Sequence, residues 1–376
     1  MRNLPIELVG AVVENVSSTS DLLQLRSVNS TCCDLVTASL FRRVHIKNSV
    51  QSAQNCLSIL ASPSLAVHVH EVVYDQRDHA QFCLLPPSIE DTCDELETAD
   101  LEDALTETFC SLSDFKNLQG VILNFWPSLR TQSGIEVHEN PFWFTTRQTT
   151  VLHAVHHAMK SSPMRSLSLN NVVLMSPSYY DFVSSLEQSP LHHFSMSVVA
   201  NSELGVWSGS KALNNSLSSL LPVSSPTLKS LVLRSPQGLY HSLASQLRSF
   251  EYSSLETLVL EKIVFDHTPF ADAIEEFIIR HKDTLRRLEI RSCASYVPSA
   301  TTPIRRWATI WKRLEEELTS LQELVVAHQC YALLDSTRGY IPHPSLPLAP
   351  AELAEEDEQQ YQQFKDRVNT RLAPAL

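Results

Sequence analysis

The sequence predicts an α/β chain, with a short three-helix module at the N-terminus and then an irregular solenoid of parallel strands with outer helices. Three observations carry that prediction. The pattern L-x-x-L-x-L returns seven times between residues 118 and 326. Between its copies, apolar residues recur at helical spacing. The first fifty residues hold three short apolar-faced segments separated by capping residues. The expected divisions are residues 1–47 for the helical module, 48–340 for the repeats, and 341–376 for a Pro-rich linker with a polar helix or tail.

Leu4-Pro5-Ile6-Glu7-Leu8 opens the first helix, where proline is tolerated because its missing N–H would have no partner in a first turn. Leu8, Val9, Val12, Val13 and Val16 follow at helical spacing. The run from Ser17 to Asp21 breaks the pattern and offers N-cap side chains to the next helix. That helix carries Leu22, Leu23, Leu25 and Val28. A third holds Cys32, Leu35, Val36 and Leu40, ending at Phe41 and a strand-like Val44-His45-Ile46. Helices this short cannot bury all their apolar surface among themselves, so part of it must face the rest of the chain or a partner.

Leu4-Pro5-x-Glu7-Leu8, Asp21-Leu22-Leu23-x-Leu25, and Val28-Asn29 with Leu35 resemble an F-box. The resemblance implies docking on the Skp-type adaptor of a cullin–RING ubiquitin ligase. It assigns the docking surface to Leu4, Pro5, Ile6, Leu8, Leu22, Leu23 and Val28. One departure is Cys32-Cys33, which stands where the family usually has a bulky aromatic. Without the resemblance, the same helices read as a cap shielding the first repeat.

The repeat copies are Leu118-Val121-Leu123, Met164-Leu167-Leu169, Leu191-Phe194-Met196, Leu228-Leu231-Leu233, Leu255-Leu258-Leu260, Leu285-Leu288-Ile290 and Leu321-Leu324-Val326. A fainter copy runs from Leu65 through Val69 and Val72 to Tyr74. Successive copies start 46, 27, 37, 27, 30 and 36 residues apart. The fourth and sixth positions flank one residue of a strand and so share a face, which parallel stacking buries against returning helices. Phe270-Ile274-Phe277-Ile278, Trp307-Ile310-Trp311-Leu314 and Leu213-Leu217-Leu220-Leu221 supply such helices. The array resembles a divergent leucine-rich repeat of the kind attached to many fungal F-box proteins. The consensus Asn or Cys three residues past the sixth position is met only by Cys293; Trp126, Val172, Val199, Pro236, Ile263 and Gln329 stand there in the other copies. On the opposite strand face, Ser168, Asn170, Arg234, Glu261, Glu289 and Arg291 are the candidate target-binding residues. The acidic stretch over residues 75–111 reads as a surface loop followed by a helix. The segment from Glu352 to Arg371 reads as a solvated polar helix or arm.

Composition excludes several function classes. Only 7 glycines are present, where average usage near ~7% would give about 26. No Gly-rich phosphate or dinucleotide loop occurs, so no nucleotide cofactor is expected. The net charge of -13 opposes a nucleic-acid backbone as partner. Eight cysteines without a C-x-x-C pair read as small hydrophobes of a reducing compartment, cytoplasmic or nuclear. No run is apolar enough for a membrane span. His153 and His157, an i, i+4 pair beside His156, lack H-E-x-x-H, and no metal is expected. His68, His70 and the His192-His193 pair likewise read as ordinary surface or core histidines. Gly205-Val206-Trp207-Ser208-Gly209 displaces serine from the centre of a nucleophile elbow. No catalytic residue follows. The expected role is the substrate-recognition subunit of a Skp–cullin–F-box ligase, with an adaptor and an unknown protein substrate as partners. The alternative is a repeat-based binding scaffold with no ligase role; a hydrolase would have to depend on Ser208 or on His153 and His157.

Overall fold

The structure, a computed structural model, describes residues 5–16, 18–76, 95–125, 141–173, 190–199, 225–234, 247, 250–265, 273–297, 305–335, 339–342 and 351–372. In chain order the strands are β1 (Arg43–Lys47), β2 (Glu71–Asp75), β3 (Gly120–Asn124), β4 (Ser166–Val173), β5 (His193–Val199), β6 (Ser230–Arg234), β7 (Thr257–Glu261), β8 (Val264–Phe265), β9 (Arg287–Arg291), β10 (Ala294–Tyr296), β11 (Glu323–Ala327), β12 (Cys330–Asp335) and β13 (Gly339–Pro342). The helices are α1 (Ile6–Glu14), α2 (Thr19–Arg26), α3 (Ser30–Phe41), α4 (Val50–Leu60), α5 (Pro63–Ala66), α6 (Glu95–Cys110), α7 (Pro141–Met159), α8 (Ala273–Arg280), α9 (Trp307–Glu317) and α10 (Ala351–Leu372).

The fold is α/β with a mostly parallel sheet. Nine strands line up as β1-β2-β3-β4-β5-β6-β7-β9-β11, each parallel to its neighbour. Each expected L-x-x-L-x-L copy supplies one of these strands, and the fourth and sixth positions stand in register as two inward ladders. One ladder runs Val44-Val72-Val121-Leu167-Phe194-Leu231-Leu258-Leu288-Leu324. Nearly every member of both ladders is fully buried, as are Leu118, Met164, Leu191, Leu228, Leu255, Leu285 and Leu321 one turn earlier. Each such side chain contributes about 1.5–3 kcal/mol of burial, so the repeat pattern is itself the core. β1, the strand-like stretch at the end of the three helices, pairs with β2, so the sheet starts ahead of residue 47. On α6, within the acidic stretch, Leu101, Leu105 and Phe109 join the same core.

After the sixth position the chain turns through a left-handed residue at Asn171, Lys262, Ser292 and His328, with φ of 58, 57, 49 and 56°. Past the last three of these corners lie β8, β10 and β12, which with antiparallel β13 make a second sheet ordered β13-β12-β10-β8. The next position is filled by Cys293, whose Sγ donates to the Leu260 carbonyl at 3.4 Å. Ile263 and Val172 occupy the equivalent place as buried aliphatics, so apolar packing fills it there. Burial pushes the Cys293 and Cys56 thiols up to about 12, which leaves both inert.

α10 departs from expectation. It is no solvated arm: Tyr361, Phe364 and Val368 are buried in the main core against α9 and β11. Asp357 accepts the Ala308 N–H at 2.8 Å and the Tyr331 hydroxyl, and Arg306 lies 3.4 Å away. Arg306 and Arg305 are both half-buried, and Arg305 pairs with the buried Glu275 on α8.

His281, just past α8, is buried, and its Nδ1 donates to the Phe277 carbonyl at 2.7 Å. Its Nε2 accepts the Tyr252 N–H at 3.0 Å, a contact that only the neutral ring can make. Burial holds its pKa below the ordinary 6.5. A depressed histidine contributes stability that is fully present above its unfolded pKa and is lost as pH falls through the folded value. The melting temperature is expected to fall as the buffer drops below about pH 6.5, and His281→Gln is expected to flatten that dependence. A melting series across pH checks this.

Among the described residues no helix is long and apolar enough to cross a membrane. Leu4, residues 205–209, residues 213–221 and Phe270 lie outside the described residues.

Candidate functional site

Two surfaces hold the residues singled out from sequence. The first is built by α1, α2 and α3. Ser18 caps α2 by accepting the Asp21 N–H at 3.3 Å, and Asn29 caps α3 by accepting the Cys32 N–H at 2.8 Å. Each cap opens a new helix and so fixes the break between it and the helix before. Val13, Leu22 and Val36 then form a small core of their own, with Val16, Leu25, Leu35 and Leu40 packed around it. Leu22, expected on the docking surface, is thus turned inward and supports that surface from behind. Pro5, Ile6, Leu8, Leu23 and Val28 are exposed. Ile6, Leu8, Val12, Leu23 and Val28 show between 52 and 56% of their surface, although all are large and apolar. Only Val67, among the described residues, is a comparable exposed hydrophobic elsewhere. Val12 was grouped from sequence with the buried Val9 and Val13. The signal that separates them is that α1 is apolar nearly all round, wider than a single buried stripe requires. Cys32 is buried, so it belongs to the interior of the three helices and not to their outer face.

The second surface is the outward face of the nine-stranded sheet. Ser168 and Glu289 stand four strands apart in one row, His45-Val73-Ile122-Ser168-Ser195-Val232-Val259-Glu289-Val325. Arg234, Glu261 and Arg291 are consecutive in the next row, and Asn170 pairs with Asn124 across β3 and β4. All six candidates therefore share one face. Their side chains largely satisfy one another. Asn170 Nδ2 donates to Asn124 Oδ1 at 2.8 Å, and Arg234 meets Glu261 at 3.1 Å. Glu289 is almost wholly covered, held between Arg287 and Arg291, and Arg287 also reaches Glu323 at 2.7 Å. Arg287 was missed from sequence, although the alternation Arg287-Leu288-Glu289-Ile290-Arg291 puts it on the same face. The face is hydroxyl- and amide-lined over β4 and β5, and charged but internally paired over β6, β7 and β9.

On α7, His153 and His157 are exposed while His156 is buried. Among the described residues no group of three or more His, Cys, Asp or Glu side chains is placed to hold a metal ion. Compared with known protein-family models and with curated proteins, the chain matches none.

Proposed function

We propose that the chain is the substrate-recognition subunit of a Skp–cullin–F-box ubiquitin ligase. Its N-terminal helices act as the F-box and dock on a Skp-type adaptor. Its parallel sheet and outer helices form an irregular leucine-rich-repeat solenoid that holds a protein target. The observation that carries this reading is the concentration of exposed large apolar side chains on α1, α2 and the turn after them. Folded chains cover such patches unless a partner does so. Here Ile6, Leu8 and Val12 stay outside although the small core beneath them is filled by Val13, Leu22 and Val36. The motif residues and the exposed residues largely coincide, which a helical end-cap does not require. The contribution to ubiquitin transfer is proximity: the target is held beside the transfer machinery, and no residue of this chain takes part in the chemistry.

Immobilised cullin tests the reading. The full chain is expected to be retained only when a Skp-type adaptor is added. Absence of retention with adaptor present would leave a repeat scaffold with no ligase role.

A further inference from the structure

Backbone pairing in the large sheet extends one residue ahead of the strands. His70, Gln119, Arg165, His192, Lys229, Glu256, Arg286 and Gln322 each donate an N–H to the equivalent carbonyl of the preceding repeat, starting from Arg42, at 2.8–2.9 Å. Neighbours in this row therefore stand a strand spacing apart, about 4.8 Å. The row reads Arg-His-Gln-Arg-His-Lys-Glu-Arg-Gln, with Glu256 its only carboxylate. The chain as a whole has 42 acidic and 29 basic residues, so this edge inverts the overall balance.

The basic side chains are available. Arg42, Arg165, Lys229 and Arg286 are exposed. Lys229 meets Glu256 at 3.1 Å, and Arg286 donates to the Ser320 carbonyl at 3.0 Å. Among the described residues, neither Arg42 nor Arg165 is ion-paired with a carboxylate. The exposed His193 follows His192 on β5 and lies in register between Ser166 and Ser230, whose hydroxyls can donate. Burial, and after it the neighbouring charges of Arg165, His193 and Lys229, lower the His192 pKa.

We propose that this edge, centred on Arg165, His192, His193 and Lys229, binds an acidic peptide segment of the target lying across β4, β5 and β6. An extended peptide repeats same-side side chains every ~6.6–6.8 Å, so two or three carboxylates span the ~10 Å from Arg165 to Lys229. The proposal rests on the receptor reading only in assigning the peptide to a ligase target; the contact itself needs no adaptor.

The test is fluorescence anisotropy of the full chain with a labelled peptide of alternating Glu and Ser, beside its Gln–Ser counterpart. The Glu peptide is expected to bind at least about tenfold more tightly than the Gln peptide. Arg165→Glu with Lys229→Glu is expected to weaken the Glu peptide about tenfold or more. Lys312→Glu, at an exposed cation of α9, is expected to leave binding unchanged. Equal binding of the two peptides, an equal loss in Lys312→Glu, or tighter binding of a single-stranded oligonucleotide would each overturn the proposal. Adaptor capture on the same preparations separates the two readings. Capture without peptide binding defeats the peptide site alone. Peptide binding without capture upholds the site and defeats the receptor role.

Discussion

Leu8→Asp combined with Leu23→Asp is expected to weaken binding to a Skp-type adaptor by about a hundredfold or more, with the melting temperature unchanged. The two leucines are 53 and 52% exposed, on α1 and α2 respectively. A charge there costs the folded chain almost nothing, because the small core of Val13, Leu22 and Val36 does not include either residue. Buried in a partner, each leucine becomes an interface anchor, and a hot spot lost to truncation costs ~2 kcal/mol or more. An aspartate adds the desolvation of an unpaired carboxylate on top of that. Val36→Asp is the contrasting variant: Val36 is fully buried, so that substitution is expected to unfold the three helices and lose binding together with helicity. Adaptor affinity and circular dichroism, measured on the same preparations, separate the two outcomes.

Phe364→Ala on α10 is expected to destabilise the chain by about 3–5 kcal/mol, the usual cost of a large buried aromatic. Phe364 is fully buried between Tyr361 and Val368, and Tyr361 stacks obliquely on Trp311 at 5.9 Å. The helix packs against β11, the last strand of the large sheet among the described residues. The loss is expected to appear first in amide exchange over α9, β11 and β12, with β1 to β4 protected as before. Asp357→Ala is expected to act in the same direction but less strongly, releasing the Ala308 N–H, the Tyr331 hydroxyl and Arg306. A thermal melt with residue-resolved exchange measures both variants.

The parallel sheet was legible in the sequence because its core residues also write its repeat. Inward positions two apart, with a third apolar residue earlier, survive insertions of any length between copies, so the spacings of 27 to 46 residues did not hide them. β1 was harder to see because Val44-His45-Ile46 lacks the leading leucine and follows directly on a helix. α10 reads as a solvated helix in sequence because Tyr361, Phe364 and Val368 make a narrow stripe in a helix whose other residues are mostly polar or charged. The left-handed corners escaped because Lys262, Ser292 and His328 stand where glycine would have signalled the turn. On the sheet's outer face, strand alternation placed Arg234, Glu261, Glu289 and Arg291 together. Arg234 pairs across strands with Glu261 while Glu289 pairs along its own strand with Arg287 and Arg291, and spacing alone does not show whether side chains that face the same way satisfy one another. In the N-terminal helices the apolar content was plain, but which leucines point inward was settled by how three helices pack on one another.

Isothermal titration of the intact chain with a purified Skp-type adaptor tests the central claim most directly. The account predicts saturable binding at equal stoichiometry, lost when Leu8 and Leu23 are both replaced by aspartate. Absence of binding by the intact chain, or binding that ignores both substitutions, would contradict it.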